Sequence, residues 1–568
     1  MDRDLGIARK AKLEHIKTIA ARLGIPAKFL ENYGNYKAKV SLEILKRTTQ
    51  YARRTTSKYI VVTGITPTHL GEGKTVTTIG LSMALNKAGK SAVACIREPS
   101  LGPFFGIKGG GVGGGRSQVL PGEDINLHLT GDIHAVSAAH NLCSAFLDNH
   151  LYRGNKLDID LKKIFWKRVI DVNDRSLRSI KIGVGGGEYG VARDSSFEIT
   201  AASEVMAILA LADSIPDLRE RVSKIVVALT RGGKPVTAED LKVAGAMAVL
   251  LKDALKPNLL QTIENTPCFI HTGPFANITH GNSSILADKM GLGLADYVVT
   301  EAGFGADCGL EKFVNIKCRQ SGLKPSAVVL VCSIRALKIH SGMYRTAIGK
   351  PLSRELDREN VDAVDAGCGN LVKQIENVRL FDVPCVVAIN RFLNDTEREI
   401  KVVRDKALQA GAFNCVTSEL YRYGSRGGEA LAKSVVQATS INSRFRYLYE
   451  HDEPIKDKIS KIAVQIYGAK GVSYEKEAEE NIAHYQKLGY GKLPICMAKT
   501  PLSLSHDPAL KGAPTGFVLP VRDVRPSIGA GFLYALCGKI LTMPGLPSNP
   551  IGERIDINPK GEIRYVSK

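Results

Sequence analysis

The sequence predicts an α/β protein of the P-loop NTPase type, with a nucleotide-binding unit on a mostly parallel sheet. Three observations carry that prediction. Tyr59-Ile60-Val61-Val62-Thr63 is a β-branched run bounded by Gly64, which is the pattern of a buried strand. The loop from Gly64 to Gly73 carries Pro67, Gly71 and Gly73 and closes on Gly71-Glu72-Gly73-Lys74-Thr75. A helical pattern with Ile79, Leu81, Met83, Ala84 and Leu85 on its apolar face follows, and Ser91 to Ile96 reads as a second strand.

A strand, a glycine loop and a helix in that order form a phosphate cradle. The glycines let backbone N–H groups approach phosphate oxygens, and the helix N-terminus adds its partial positive charge. Thr68, His69, Leu70, Gly71, Glu72 and Gly73 make up that cradle, Lys74 is placed to hold the terminal phosphates, and the Thr75 hydroxyl is the candidate Mg²⁺ ligand. Thr68 stands where the usual pattern has its first glycine. Gly-Lys-Thr also occurs in plain turns, and it is the strand–loop–helix context that favours the cradle.

A chain of 568 residues with 44% hydrophobic content has room for about three or four domains with ordinary cores. No apolar run approaches the roughly 20 residues that span a bilayer. The start, Met1-Asp2-Arg3-Asp4-Leu5, lacks the apolar stretch of a secretory signal, and Asp2, Asp4 and Glu14 argue against a mitochondrial leader. The expectation is a cytoplasmic protein without a membrane partner. The 11 cysteines include no Cys-x-x-Cys pair, and Cys95, Cys332, Cys385, Cys496 and Cys537 lie in apolar runs as small hydrophobes. The net charge of +20 is scattered, with no basic tail, so steering of anionic small molecules explains it better than nucleic acid.

In chain order, Leu5 to Leu23 has a helical pattern that stops at Gly24, and Val40 to Tyr51 reads as a helix leading into the first strand. After the second strand, Arg97-Glu98-Pro99 opens a turn, and the run from Gly106 to Gly115 lets main chain pack closely on a ligand or on another chain segment. A flexible linker is the alternative, but Phe104, Phe105 and Arg116 flank the run. His128, Asp132 and His134 bring imidazoles and a carboxylate together. The spacing of six between the two histidines fits neither one helical face nor a zinc pattern, which leaves hydrogen bonding or acid–base work. Trp166 to Pro257 mixes helices with one clear strand, Ile225 to Leu229. Tyr297 to Thr300 is a strand running into Glu301, Phe304, Gly305 and Asp307, at the strand end where open α/β sheets collect ligands. Ala327 to Cys332 and Cys385 to Ile389 are further strands, and Asn390 after the latter is either a base-reading residue or a turn residue.

Taken in order, these pieces resemble the formate–tetrahydrofolate ligase family over nearly the whole chain. The resemblance rests on Gly71 to Thr75, Arg97 to Pro103, Phe105 to Gly110, Glu123 to His134, Gly273 to Gly281, Glu301 to Asp307, Leu493 to Thr500 and Thr542 to Pro547. It implies a P-loop nucleotide domain at 1–121 plus 297–376, a second α/β domain at 122–296 and a third at 377–568 that contributes to the folate site. It also implies a homotetramer. The implied reaction takes ATP with Mg²⁺, formate and tetrahydrofolate to 10-formyltetrahydrofolate, ADP and phosphate through formyl phosphate. A monovalent cation is a further implied candidate. Lys74, Arg97, Glu98, His128, Asp132 and His134 become the catalytic candidates, with Phe304, Gly305, Phe392 and Tyr421 joining the phosphate loop as binding residues.

The departures from the family pattern fall mostly at the folate pocket. Tyr421 stands where Trp usually stacks on the pterin opposite Phe392, and Leu420 where His is common. Arg391, Arg116 and Gly122 replace a small residue, a Tyr and a Met, and Ser341 interrupts a His-Gly-Gly at His340. Two other readings stand beside the ligase: an ATP-driven switch acting on partner macromolecules, and a catalytically weakened relative.

Overall fold

The computed structural model describes residues 2–50, 56–108, 111–344, 353–538 and 540–565. Tyr51, Gly109 and Gly110 lie outside them. At the centre is a long sheet whose strands are β1 (Leu30–Asn32), β2 (Ala38–Val40), β3 (Lys58–Gly64), β4 (Ala92–Ile96), β5 (Asn258–Thr262), β6 (Pro267–Ile270), β7 (Tyr297–Glu301), β8 (Ala327–Cys332), β9 (Cys385–Asn390) and β10 (Asn414–Ser418). They lie in the order β1-β2-β5-β6-β4-β7-β3-β8-β9-β10. Each neighbouring pair from β6 to β10 is parallel, and the pairs from β1 to β6 are antiparallel. Strands β3, β4, β8 and β9 are buried along almost their whole length, as the unbroken Val/Ile runs require of a sheet covered on both faces.

Before the first strand the structure departs from the expected helices. Leu5 to Leu23 is not one helix but two, α1 (Asp2–Arg9) and α2 (Ile16–Arg22). The break is tertiary in origin: the Glu14 N–H donates to Gln261 on β5, and the His15 ring accepts from Lys17 N to cap α2. Val40 belongs to β2, because its neighbours Ala38 and Lys39 pair with β5; helix α3 runs only over Glu43–Gln50. Helix α4 (Lys74–Lys87) follows the loop as expected, but it already includes Lys74 and Thr75.

The sheet also cuts across the domain limits expected from the sequence. Strands β5 and β6, from the expected second domain, pair with β2 and β4, and β9 and β10, beyond residue 376, extend the sheet past β8. Residues 132–257 add helix α5 (Asp132–Tyr152) and a second apolar cluster around Leu147, Val205, Leu209, Val227 and Met247. The strand at Val226–Thr230 is joined there by Ile159–Ile164, whose charged and half-exposed residues hide it in the sequence, and by the three-residue Pro235–Thr237. Trp166 stacks on His140 with ring centroids 3.9 Å apart, and its N–H donates to the His140 carbonyl, so the one indole is a core residue. The strands Ile495–Ala498, Asp523–Ser527 and Phe532–Leu536 form a small sheet whose inner face shares one apolar cluster with Tyr59, Val61 and Phe313. Helix α6 (Val361–Arg379) packs between the helix after β8 and the loop after β7. All 11 cysteines are buried and free. No helix among the described residues is long and apolar enough to cross a membrane.

Candidate active site

The loop between β3 and α4 leaves the carboxyl edge of the parallel sheet beside the ends of β7, β8 and β9. Its shape is set from within. The Thr68 N–H and hydroxyl both donate to Glu72 Oε1, at 2.8 and 3.1 Å. The residue in the place of the pattern's first glycine thus clamps the loop instead of freeing it. Gly73 has φ of +85° and precedes Lys74, and a Cβ there would stand 2.5 Å from the Asn390 amide nitrogen. Asn390 donates to the Glu72 carbonyl at 3.1 Å, which makes it a brace for the loop. His69 and Gly71 are exposed at the tip, with Leu70 half-buried between them.

Lys74 Nζ lies 4.0 Å from Glu72 Oε2, and its stem runs against Gly64. The Thr75 hydroxyl donates to Glu301 Oε2 at 2.8 Å. The same carboxylate receives Arg97 Nε on its other oxygen at 3.3 Å, while Arg97 Nη1 donates to the Pro274 carbonyl. Glu301 therefore joins residues from three strand ends into one cluster: Thr75 after β3, Arg97 after β4 and its own position on β7. The ion pair of Arg97 is with Glu301, not with Glu98 or Asp132. In the loop after β7, Phe304 has φ of +62°, a left-handed conformation that is uncommon for an aromatic residue and gathers at functional loops. Gly305 follows it, against the Ile65 carbonyl and Asp307.

Glu98 is buried, its N–H held by the Thr272 carbonyl, and its Oε2 has no hydrogen-bond partner. Burial, helped by the charge of Asp132 and opposed by Lys39, pushes its carboxyl well above the usual range. Asp132 itself is occupied: Lys39 Nζ sits 2.7 Å from Oδ1, and Asn258 donates to Oδ2 at 2.8 Å. His128 and His134 are both exposed at the surface. His128 is close enough to Asp171 to oppose the burial that raises that carboxyl to about 6. Among the described residues no group of three or more His, Cys, Asp or Glu could hold a metal ion.

The two aromatic residues expected at the folate site have different surroundings. Phe392 lies under the Arg335 guanidinium, 4.5 Å from ring centre to Cζ, and its N–H is capped by Asp395 at 2.7 Å. The Tyr421 ring rests on the glycine-rich segment, and its hydroxyl donates to Asp4 Oδ1 at 2.8 Å. A Cβ at Gly115, where φ is +57°, would come within 2.1 Å of the Tyr421 carbonyl oxygen. The glycine run thus packs against another segment of its own chain, and the Gly115 N–H donates to the same Asp4 oxygen. Arg391 is turned to Glu397 at 2.9 Å.

Two residues escaped the list of candidate site residues. Glu301 was signalled only as a carboxylate at a strand end. His280 is fully buried with neither ring nitrogen hydrogen-bonded; burial and the charges of Lys317, Arg97 and Lys312 hold its pKa well below the usual value. A lone histidine in a loop carries no sequence signal for that environment.

Fold and site together define an α/β enzyme that gathers a lysine, a guanidinium, a hydroxyl and a carboxylate at the carboxyl edge of a parallel sheet. The chain belongs to the formate–tetrahydrofolate ligase family, whose model matches residues 2–567. A protein of Roseiflexus sp. (strain RS-1) named formate–tetrahydrofolate ligase is 57% identical over 558 residues, covering 98% of each chain. The protein of that name from Roseiflexus castenholzii is 55% identical over 567 residues and 100% of both chains, and the one from Desulforamulus reducens is 53% identical over 558 residues and 98% of both.

Proposed function

We propose that this chain joins formate to tetrahydrofolate at the expense of ATP, giving 10-formyltetrahydrofolate, ADP and phosphate through formyl phosphate. The observation that carries the reading is the cluster of Lys74, Thr75, Arg97 and Glu301 at one sheet edge, in a chain of this family. In the proposed course a formate oxygen attacks the γ-phosphorus and the bond to ADP breaks. The N10 amine of the folate then attacks the formyl carbon, phosphate leaves, and N10 sheds its proton. The first step spreads negative charge over the transferring phosphoryl group. Lys74 and Arg97, fixed by the loop and by Glu301, are positive groups whose orientation is set before the charge develops. Arg97 presents planar donors that suit a carboxylate or phosphate held at two points. In this reading Phe304, in the loop after Glu301, helps keep water from a mixed anhydride that it would otherwise hydrolyse.

Mg²⁺ fits the residues present. The Thr75 hydroxyl and the Glu301 carboxylate, 2.8 Å apart, are hard oxygen donors, and one or two protein ligands beside substrate phosphates is the usual Mg²⁺ arrangement. When bound, the ion would neutralise phosphate charge. The P-loop NTPase type, the homotetramer and a monovalent cation requirement belong to this proposal as well.

The test is ADP release with each substrate omitted in turn, alongside chromatography of the folate product. ADP release that needs formate, and product that needs all three substrates, supports the reading. Formate-independent hydrolysis of ATP would sink it and favour a P-loop switch. Light scattering tests the tetramer.

A further inference from the structure

Behind the phosphate loop runs a buried chain of polar side chains that the reaction does not use. It begins on Lys499, in the segment following the strand Ile495–Ala498. The Lys499 ammonium lies 2.9 Å from Asp307 Oδ2, donates to the Ser503 and Thr500 carbonyls at 2.6 and 3.1 Å, and sits 4.7 Å from the centre of the Tyr467 ring. The other oxygen of Asp307 accepts from Gln374 Nε2 of α6 at 2.7 Å. Gln374 passes the contact on, donating to the Thr66 hydroxyl at 3.0 Å.

Thr66 lies in the phosphate loop, and each of its polar groups is held. Asn370, one turn before Gln374 on α6, accepts from Thr66 N at 3.1 Å and donates to Thr66 Oγ1 at 2.9 Å. His340 bonds the Thr66 carbonyl through Nε2 at 2.7 Å. Both of these residues then return to the C-terminal segment: Asn370 donates to the Gly512 carbonyl at 2.7 Å, and Gly512 N donates to His340 Nδ1 at 3.3 Å. Accepting there leaves His340 as the neutral tautomer with its proton on Nε2. The circuit leaves the segment at Lys499, passes through Asp307, Gln374, Thr66, Asn370 and His340, and re-enters it at Gly512. Lys511 is also close enough to His69 for its charge to add to the partial desolvation that lowers the His69 pKa.

Thr66, Asp307, Asn370, Gln374, His340 and Lys499 are all buried. An ion pair at such depth gains little net stability over well-packed apolar residues, so stability alone explains it poorly. A satisfied buried network instead fixes one arrangement of the groups it joins. We propose that Lys499, Asp307 and Gln374 are positioning residues that set the phosphate loop for nucleotide, making segment 499–512 part of the nucleotide site although it lies more than 400 residues from that loop in sequence. This rests on the nucleotide reading above. A merely structural ion pair would affect melting and leave ligand affinities alone.

The experiment is calorimetric titration of ATP with Mg²⁺, and separately of tetrahydrofolate, into the full chain. Two variants are used, because Lys499→Met alone would strand a buried carboxylate. Gln374→Met cuts the circuit and leaves the ion pair, while Lys499→Met with Asp307→Asn removes both charges together. Each is expected to weaken ATP at least tenfold and tetrahydrofolate less than twofold. Melting temperatures taken alongside identify folded variants. Folded variants that bind ATP within twofold of the original chain would overturn the proposal, and so would an equal loss for both ligands. If the unaltered chain fails to bind ATP, the nucleotide reading itself falls.

Discussion

The loop between β3 and α4 and the pair Phe392–Tyr421 are built on opposite principles. Around the loop, contacts are made inward from four strand ends and from α6, and Glu301, Asn390 and Thr66 each join segments far apart in sequence. Around the aromatic pair, each ring is engaged by a different neighbour: Phe392 by Arg335, Tyr421 by Asp4 and the glycine run. A site preset by buried polar contacts spends little of its binding energy on ordering itself. Rings with fewer buried polar contacts, such as half-buried Phe392 and Tyr421 on the helical turn Leu420–Tyr423, give up more on binding. The departures expected from the family resemblance fall mostly in the second region.

The sharpest break in that contrast is Lys74→Ala. The lysine is a charge at the mouth of a preset loop, so its loss should lower kcat/KM by about a thousandfold, or ~4 kcal/mol, while the fold survives. Circular dichroism and product formation measured together check both halves; an active, folded variant would remove the nucleotide assignment. Arg97→Ser comes next. Formyl phosphate formation should fall by about a hundredfold while ATP affinity changes only a few-fold, because Arg97 answers Glu301 and not the loop itself. Loss of ATP affinity in step with chemistry would place the guanidinium in nucleotide binding.

Acid should separate the two regions by a third route. His340 holds the loop in its neutral form, and burial lowers its pKa to about 4. The unfolded chain takes up that proton near pH 6.5, so stability present at neutral pH is lost as pH falls from about 6.5 toward 4, by up to ~1.4 kcal/mol per pH unit. His140 and His271, also held near 4 by burial, add to the same slope. Melting temperature against pH for the original chain and for His340→Gln would show it: the variant's slope should be shallower. The smallest effect expected is at Tyr421. Tyr421→Trp should lower KM for tetrahydrofolate several-fold, in line with the ~0.5–1.5 kcal/mol of an aromatic contact, and leave that for ATP unchanged. No folate response in this variant or in Tyr421→Ala would put the pterin elsewhere.

What could be read from the sequence follows the same division. Strand β3, the glycine loop and α4 form one local unit, so their residues announced the strand, the turn and the helix. The ends of β7 and β9 were legible as strand ends, but Glu301 joining Thr75 to Arg97 was not. That contact depends on β7 inserting between β3 and β4, which no local pattern encodes. The helix read over Leu5 to Leu23 failed for the same reason, since Gln261, far along the chain, takes the Glu14 N–H and interrupts it. The glycine run showed that something packs closely, and only the fold identified Tyr421. Asp132, a catalytic candidate from the resemblance, is paired in the fold with buried Lys39, a contact no local pattern announced.

Strand order also sets a schedule for synthesis. Strand β3 ends at Gly64, yet neither of its sheet neighbours emerges until far later, at Tyr297 and at Ala327. At about 5–20 residues per second, the ribosome needs on the order of 10–50 s to deliver them. Through that interval the Val/Ile edge of β3 has no native strand to pair with. The loop between β3 and α4, settled in the finished protein, is therefore among the last features to have its sheet neighbours in place, once residue 332 has been made.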